Sequence, residues 1–158
     1  TEEYGISSFV YRARRPFHPE RFMSSLRTAW PGVLRSKGFF WLATRMDWAG
    51  NYSQAGAACR TEGAGSWWCA VDKSEWPDDQ EQCEEIVKLW EKPWGDRRQE
   101  IVVIGQSMDP DAITAKFDGC LLTDDEMELG PEGWMTHFED PFFDWQVAME
   151  EEETTIQQ

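Results

Sequence analysis

Four cysteines and two histidines are the residues of this chain best suited to hold a metal ion. The cysteines stand at positions 59, 69, 83 and 120, and no two are spaced as in Cys-x-x-Cys, the pair with which one turn directs two thiolates at zinc. The candidate ligands are Cys59, Cys69 and His18. His18 lies at the entrance of a predicted helix, where a capping or solvent-facing role is the alternative. The spacing alone therefore assigns no metal site.

The thiols also have structural interpretations. Cys59 and Cys69 are each five residues from Ala64, so a hairpin centred there places them opposite each other, as a disulfide, a shared metal site or simple packing. Cys83 and Cys120 fall on helix stripes that otherwise carry apolar residues, where a thiol behaves as a small hydrophobe. Because four cysteines in a tryptophan-rich chain of 158 residues do not make a disulfide scaffold, we expect reduced thiols and a cytoplasmic chain.

Basic residues beside predicted strands form a second group that could recognise a partner. Arginine suits this task because its guanidinium can form two parallel hydrogen bonds to a carboxylate or phosphate. If the strands concerned are neighbours, their cations converge at one end of the sheet. The predicted interaction residues are Arg12, Arg14, Arg15, Arg35, Lys37, Arg97 and Arg98.

Two other interpretations of the surface stay open. The cations can pair internally with Glu2, Glu3, Glu100 or the acidic C-terminal half. The tryptophans can form a platform for a peptide or carbohydrate, or they can fill the core. Those near predicted turns or in the predicted hairpin are Trp48, Trp67, Trp68, Trp76 and Trp94.

The formal net charge of −15 is unevenly distributed. Residues 1–60 hold nine Lys or Arg against four acids, which leaves six cations against 26 acids in the remainder. This asymmetry indicates a basic face on an acidic body. The acidic total argues against nucleic-acid binding, because phosphate contacts need cations that nearby acids do not outnumber. No apolar run approaches the roughly 20 residues that span a bilayer, so no membrane span is expected.

Nucleotide-binding and catalytic motifs are absent from the sequence. It has no Gly-x-x-x-x-Gly-Lys-Ser/Thr loop, whose backbone N–H groups would surround phosphates. No nucleophile is paired with a base at a recognisable spacing, and the carboxylates fall mainly on predicted helix faces, in turns or in the tail. We therefore expect this chain to have no catalysis, no tight GTP binding and no cofactor of its own.

Apolar periodicity and turn residues predict the order strand, helix, three strands, helix, strand, helix. This order gives a two-layer α+β fold, a mostly antiparallel sheet of about five strands with helices on one face. The predicted strands are 5–15, 34–45, 51–60, 66–71 and 98–105, and the predicted helices are 19–30, 79–91 and one from Asp109-Pro110.

The rest of the predicted organisation concerns turns and ends. The third and fourth strands are joined by a hairpin turn at 62–65, where glycine tolerates positive φ. After Leu122 we expect an irregular closing segment that packs Trp134, Phe138, Phe142 and Trp145 across the domain. The domain occupies 1–148, and 149–158 form an acidic tail that cannot bury enough surface to become ordered.

Four segments in register carry a family resemblance. Three combine basic residues with an apolar run, and the fourth reads Cys-Leu-Leu-Thr-Asp-Asp-Glu-Met. From about Ile6 to Trp145, the chain resembles the C-terminal domain of the CobW family, whose members are GTP-dependent metal chaperones. The four segments are Phe9–Pro19, Val33–Leu42, Gly95–Gly105 and Cys120–Met127.

The resemblance implies an accessory, regulatory or client-docking domain of a GTP-dependent zinc or cobalt metallochaperone. The parent protein would use GTP, Mg²⁺ and zinc or cobalt, with an upstream GTPase domain in the same polypeptide and a metalloprotein as client. The rival interpretation is a free-standing module that binds an anion or peptide with the basic sheet end and exposed tryptophans. A third is a small metal-binding protein built on Cys59, Cys69 and a histidine.

Overall fold

A computed structural model of the chain describes residues 4–145. Its strands are β1 (Ile6–Ala13), β2 (Val33–Phe40), β3 (Trp48–Ala55), β4 (Ala58–Ser66) and β5 (Gln99–Gln106). They form one sheet in the order β1-β5-β2-β3-β4, and every neighbouring pair is antiparallel. The predicted α+β class with a five-stranded antiparallel sheet is therefore confirmed.

The strands alternate between a packed face and an open face. On β5, Ile101 and Val103 are buried, whereas Val102 and Ile104 keep 37% and 39% of their surface exposed. Successive side chains of a strand point to opposite sides of the sheet, so the alternation separates a covered face from a solvent-facing one. The open face of β1, β5 and β2 consists of Ile6, Ser8, Val10, Arg12, Glu100, Val102, Ile104, Arg35, Lys37 and Phe39.

Within residues 4–145, five α-helices accompany the sheet. They are α1 (Pro19–Leu26), α2 (Gln80–Lys88), α3 (Pro110–Asp118), α4 (Asp124–Glu128) and α5 (Gly130–His137). Two of these helices begin at an aspartate cap, since Asp79 accepts from a backbone N–H of α2 and Asp109 from one of α3. A carboxylate at this position satisfies a donor that has no partner inside the helix.

Aromatic rings from α1, α3 and β1 form the centre of the main core. Phe22 stacks on Phe17 with ring centroids 4.4 Å apart, and Phe117 stacks on Tyr11 at 4.7 Å. Offset stacking adds about 0.5–1.5 kcal/mol per pair beyond the burial of apolar area. This core fixes α1 and α3 against one face of the sheet.

The closing segment packs across the domain as predicted, but it is more regular than expected. Trp134 is fully buried, and Phe142 and Trp145 are 7% and 3% exposed. The predicted irregular chain instead forms α4 and α5. Thr123 and Glu126 make a capping box at the start of α4, in which the side chain of each residue accepts a hydrogen bond from the backbone N–H of the other.

The predicted hairpin turn at 62–65 is wrong. Ala55 pairs with Ala58, so the turn between β3 and β4 lies at Gly56 and Ala57, and Gly56 adopts a φ of +58°. Residues 62–65 lie inside β4, where glycine is tolerated because β4 has only one neighbouring strand. Four predicted elements are also too long, since the structure ends β1 at Ala13, α1 at Leu26, β2 at Phe40 and α2 at Lys88.

The predicted tail at 149–158 lies outside the described residues, as does the end of the predicted domain at 146–148. Among residues 4–145, no helix has the length and apolar character needed to cross a membrane.

An ion pair joins the closing segment to α1. Glu126 accepts hydrogen bonds from two guanidinium nitrogens of Arg21 at 2.6 and 3.0 Å, and from the backbone N–H of Thr123 at 2.9 Å. The hydrogen bonds from Arg21 lower the pKa of Glu126 from 4.5 to about 2, against the opposing effect of burial. Because the folded-state pKa is depressed, this stabilisation is present above pH 4.5 and is lost as the pH falls towards 2.

We expect Glu126→Gln to lower the free energy of unfolding at neutral pH by about 1–3 kcal/mol, because it removes charge-assisted hydrogen bonds. The matched control is Glu128→Gln in the same helix, where the side chain is exposed and the expected change is within about 0.5 kcal/mol. Urea unfolding of both variants measures the difference. If Glu126→Gln is equally destabilising at pH 7 and at the acid end of the folded range, the ion pair is not its cause.

Candidate functional site

Arg97 and Arg98, the two predicted interaction residues just before β5, make their contacts inside the domain. The side chains of Arg97 and Arg98 are only 14% and 13% exposed. Arg97 donates to the backbone carbonyl of Met46 at 2.6 Å, and Arg98 donates to Glu100 at 2.8 Å. Such guanidinium groups hold loops to the sheet, and little of their surface is available to a partner.

The cations at the end of β1 also have internal partners. Arg14 lies 3.1 Å from a carboxylate oxygen of Glu91, and Arg15 lies 2.6 Å from one of Asp124. Arg12 lies 3.5 Å from Glu100, but 67% of its side chain remains exposed. Exposed pairs of this kind contribute about 0–1 kcal/mol each, so they can be exchanged for other partners at little cost.

Glu100 balances the charge at this end of the sheet. Burial raises its pKa, but hydrogen bonds from Arg98 and the charges of Arg98 and Arg12 outweigh this effect and hold the pKa of Glu100 below its usual value. The carboxylate therefore stays ionised at neutral pH and offsets the positive charge of its two neighbours. Glu100 therefore largely neutralises the positive charge of the predicted cluster where its cations lie closest together.

Arg35 and Lys37 differ from the other five. Both lie on β2, exposed, and neither has a hydrogen-bond or ion-pair partner among residues 4–145. They do not join the cluster at the end of the sheet, because Lys37 pairs with Val102 and Arg35 with Ile104, in the middle and far half of β5. The structure thus places two unpaired cations within the open face.

Apolar side chains surround these two cations. Lys37 lies in one row of the sheet with Val10 and Val102, and Arg35 lies in the next with Ile104. Val10, Val102 and Ile104 each keep between 37% and 39% of their surface exposed. A patch that combines exposed aliphatic residues with unpaired charge is typical of a protein–protein contact surface.

Sequence reasoning did not single out the apolar part of this patch. The alternation of β1 was the available signal, whereas the apolar run of 101–104 predicted a strand without separating its two faces. β5 is central, yet only one of its faces is covered. Arg60 was also missed, and it is exposed on β4 opposite Ser53.

The candidate metal ligands are separated. Cys59 lies opposite Gln54 across the β3–β4 pair, so the predicted pairing with Cys69 across a hairpin is wrong. Cys69 donates its Sγ–H to the carbonyl of Trp94 at 3.4 Å, and burial raises its pKa to about 11. His18 caps α1 by accepting from the backbone N–H of Arg21 at 3.3 Å. Within residues 4–145, no three His, Cys, Asp or Glu side chains are grouped to hold a metal.

The tryptophans are divided between core and surface. Trp67 is 4% exposed, and Trp94 lies between Trp41 and Trp134 with ring centroids 5.8 and 5.5 Å away. Trp68, in contrast, keeps 36% of its surface exposed. Most of the predicted platform is therefore core packing.

Comparison with known proteins places this domain among relatives. Residues 6–121 match the family model of the cobalamin synthesis protein CobW C-terminal domain. The chain is 42% identical over 140 residues to the zinc-regulated GTPase metalloprotein activator 1 of Dictyostelium discoideum, a match that covers 86% of this chain. It is 37% identical over 141 residues to a zinc chaperone of Mycobacterium tuberculosis, covering 89% of this chain.

The chain corresponds to only part of these proteins. The matched regions make up 29% of the Dictyostelium protein and 35% of the mycobacterial one. In structure, the chain is similar to the crystal structure of the zinc-bound YjiA GTPase from E. coli, with a TM-score of 0.50, 17% identity and coverage of 75% of this chain and 30% of that one. Because the family model covers most of the chain, the predicted resemblance is confirmed: the chain belongs to the CobW C-terminal domain family.

Proposed function

We propose that this chain is the accessory domain of a GTP-dependent zinc metallochaperone and docks on the GTPase domain of the same polypeptide through the open face. It has no chemistry of its own and acts by positioning or regulating the GTPase domain for delivery of metal to a metalloprotein client. The match to a zinc chaperone and a zinc-regulated GTPase supports zinc over cobalt as the parent's metal. Cytoplasmic localisation and use of GTP and Mg²⁺ belong to the same proposal.

The open face is the observation that carries this proposal. Within residues 4–145, Arg35 and Lys37 have no partner and lie beside exposed Val102 and Ile104. Covering aliphatic surface stabilises an interface by about 25 cal/mol per Å² of apolar area, and unpaired cations favour a partner with carboxylates at matching positions. The packed face cannot serve in this way, because helices already cover it.

The chemistry of the chain supports an accessory role. The sequence lacks a phosphate-binding loop, and residues 4–145 contain no grouped metal ligands. A domain of this kind contributes through contacts, so its effect on metal delivery depends on the domain that binds nucleotide.

The free-standing anion- or peptide-binding module is the second candidate. It draws support from the same unpaired cations, but the basic sheet end that it requires is neutralised by Glu100, Glu91 and Asp124. The relatives also join a matching region to a longer chain. These observations favour docking within one polypeptide.

Reversing the two unpaired charges tests the docking surface. We expect Arg35→Glu combined with Lys37→Glu to leave thermal unfolding nearly unchanged, since no ion pair is broken and exposed charges are worth about 0–1 kcal/mol each. The same variant should bind the separately expressed GTPase domain at least about tenfold more weakly at low salt, with a loss that shrinks as salt rises. Calorimetric titration measures both affinity and salt dependence.

Arg27→Glu is the matched control for this experiment. Arg27 is exposed at the C-terminal end of α1 and lies in the helix layer, away from the open face. It changes the net charge by two units, half the change of the double variant, so its affinity is compared with that of Arg35→Glu alone, which makes the same charge change on the proposed surface. Equal loss of affinity in both variants would point to long-range charge effects, and unchanged affinity in the double variant would contradict the docking surface.

The chain should not bind GTP by itself, because its sequence lacks the glycine-rich loop whose backbone N–H groups surround phosphates. We expect titration with a fluorescent GTP analogue and Mg²⁺ to give no saturable signal. The longer parent protein, measured in the same way, is the positive control. Saturable sub-micromolar binding by the chain alone would overturn its assignment as an accessory domain.

A further inference from the structure

Two adjoining grooves lie between α5 and the loop that joins β2 to β3. They have volumes of about 560 and 710 Å³. Met135 of α5 and Trp48 at the start of β3 line both grooves, so the two form one trough on this side of the domain. The other apolar side chains that line the trough are Met46, Pro131, Phe138, Phe142 and Trp145.

Large apolar side chains stay exposed along the trough. Met135 keeps 62% of its surface exposed, and Phe143 keeps 84%. Phe143 lies in the chain between Phe142 and Asp144, which both line the trough. Exposed apolar side chains concentrated beside a groove are typical of a surface that binds another protein, and a methionine side chain can adapt its shape to the partner.

The segment that borders the trough is strongly acidic. Residues 123–145 contain eight Asp or Glu and no Lys or Arg. Three of these acids are paired with arginines from outside the segment, which are Arg15, Arg21 and Arg45. The acids without a partner among residues 4–145 are Asp125, Glu128, Glu132 and Glu139. Of these four, Glu132 lines the trough itself.

Arg45 also lines the trough, but its charge is already balanced. It donates to the two carboxylate oxygens of Asp140 at 2.8 and 3.0 Å and to the backbone carbonyl of Phe142 at 2.8 Å. Its guanidinium lies 4.2 Å from the centre of the Trp145 ring, and only 15% of its side chain is exposed. An acidic partner would therefore meet uncompensated negative charge, whereas a basic one would find carboxylates to pair with.

The ends of this sequence do not supply a basic segment. Residues 117–158 contain no Lys or Arg, and residues 1–3 read Thr-Glu-Glu. The trough also shares no residue with the open face, so it lies outside the surface proposed for the GTPase domain. These two facts favour a separate protein as the source of the segment.

We propose that the trough binds a basic amphipathic segment of a separate partner protein. Apolar side chains of the segment pack against Met135 and Trp48, and its Lys or Arg side chains pair with Glu132 and with Asp47, whose side chain is 73% exposed at the same groove. Nucleic acids and anionic lipids do not fit this site, because their phosphates would be repelled by the carboxylates.

Peptide selection directed at the trough tests this site. Random dodecapeptides displayed on phage are first depleted on a Met135→Lys variant and then selected on the unmodified 158-residue chain. We expect the retained peptides to combine Lys or Arg with several apolar residues. A retained peptide is synthesised with blocked ends, and calorimetric titration should show an affinity for the chain that falls as salt rises.

Met135→Lys and its control locate the peptide. Met135→Lys removes an apolar contact and adds a repelling charge at an exposed helical position, so it should weaken binding by about tenfold or more. Val87→Lys makes the same charge change at a position that is 59% exposed on α2 and outside the trough. It should change the affinity much less.

Glu132→Gln measures the contribution of charge alone. We expect it to weaken peptide binding by about threefold at low salt, because an exposed ion pair contributes modestly, and to have little effect at high salt. Glu84→Gln is the matched control, since Glu84 is exposed on α2 and the substitution removes the same charge away from the trough.

Several results would overturn the proposal. They are the absence of any peptide after depletion, retained peptides without cations, and equal weakening of binding by Met135→Lys and Val87→Lys. Self-association of the chain that Met135→Lys abolishes would assign the trough to a second copy and contradict a separate partner. Loss of peptide binding in the protein that includes the GTPase domain would likewise assign the trough to that domain.

Discussion

The whole domain depends on a five-stranded sheet whose strands β1 and β5 are covered on one face only. Helices pack over Tyr11, Ile101 and Val103, so the alternating residues of the same strands face outward. A shift of one residue in register would bury Lys37 and expose the core, and the aromatic cluster therefore fixes the register strongly. The same constraint that builds the core produces the open face, where Val102 and Lys37 lie side by side.

Buried polar side chains hold the end of the sheet in place. Gln99 is fully buried, accepts from the backbone N–H of Trp41 at 2.9 Å, and donates to the carbonyls of Trp41 and Arg15 at 2.8 and 2.9 Å. These bonds tie the chain after β1 and the chain after β2 to the start of β5. Asp96, 2% exposed, similarly fixes the turn that follows β4. Arg97 serves this framework, whereas the cations of β2 have no partner in the part of the chain that the structure describes.

The sequence was sufficient for the elements whose signals are local. Period two in β1, the start of α3 at Asp109-Pro110, and the family segments all predicted features that the structure contains. The sequence was insufficient for features that depend on which strands or side chains pair in the folded chain. The turn at Gly56 has no polar turn residues, so Gly63 and Gly65 drew the prediction to the wrong place. Ion-pair partners were equally hidden, because Arg15 and Asp124 meet only after α3 returns the chain to β1.

Chemical labelling of lysine measures directly whether the open face is covered in the parent protein. Lys37 lies on the open face and Lys92 lies outside it, and both are exposed in this domain. We expect an amine-reactive reagent to modify both lysines at similar rates in the isolated chain, whereas in the protein that includes the GTPase domain Lys37 becomes protected and Lys92 does not. Equal modification of Lys37 with and without the GTPase domain would contradict the docking surface.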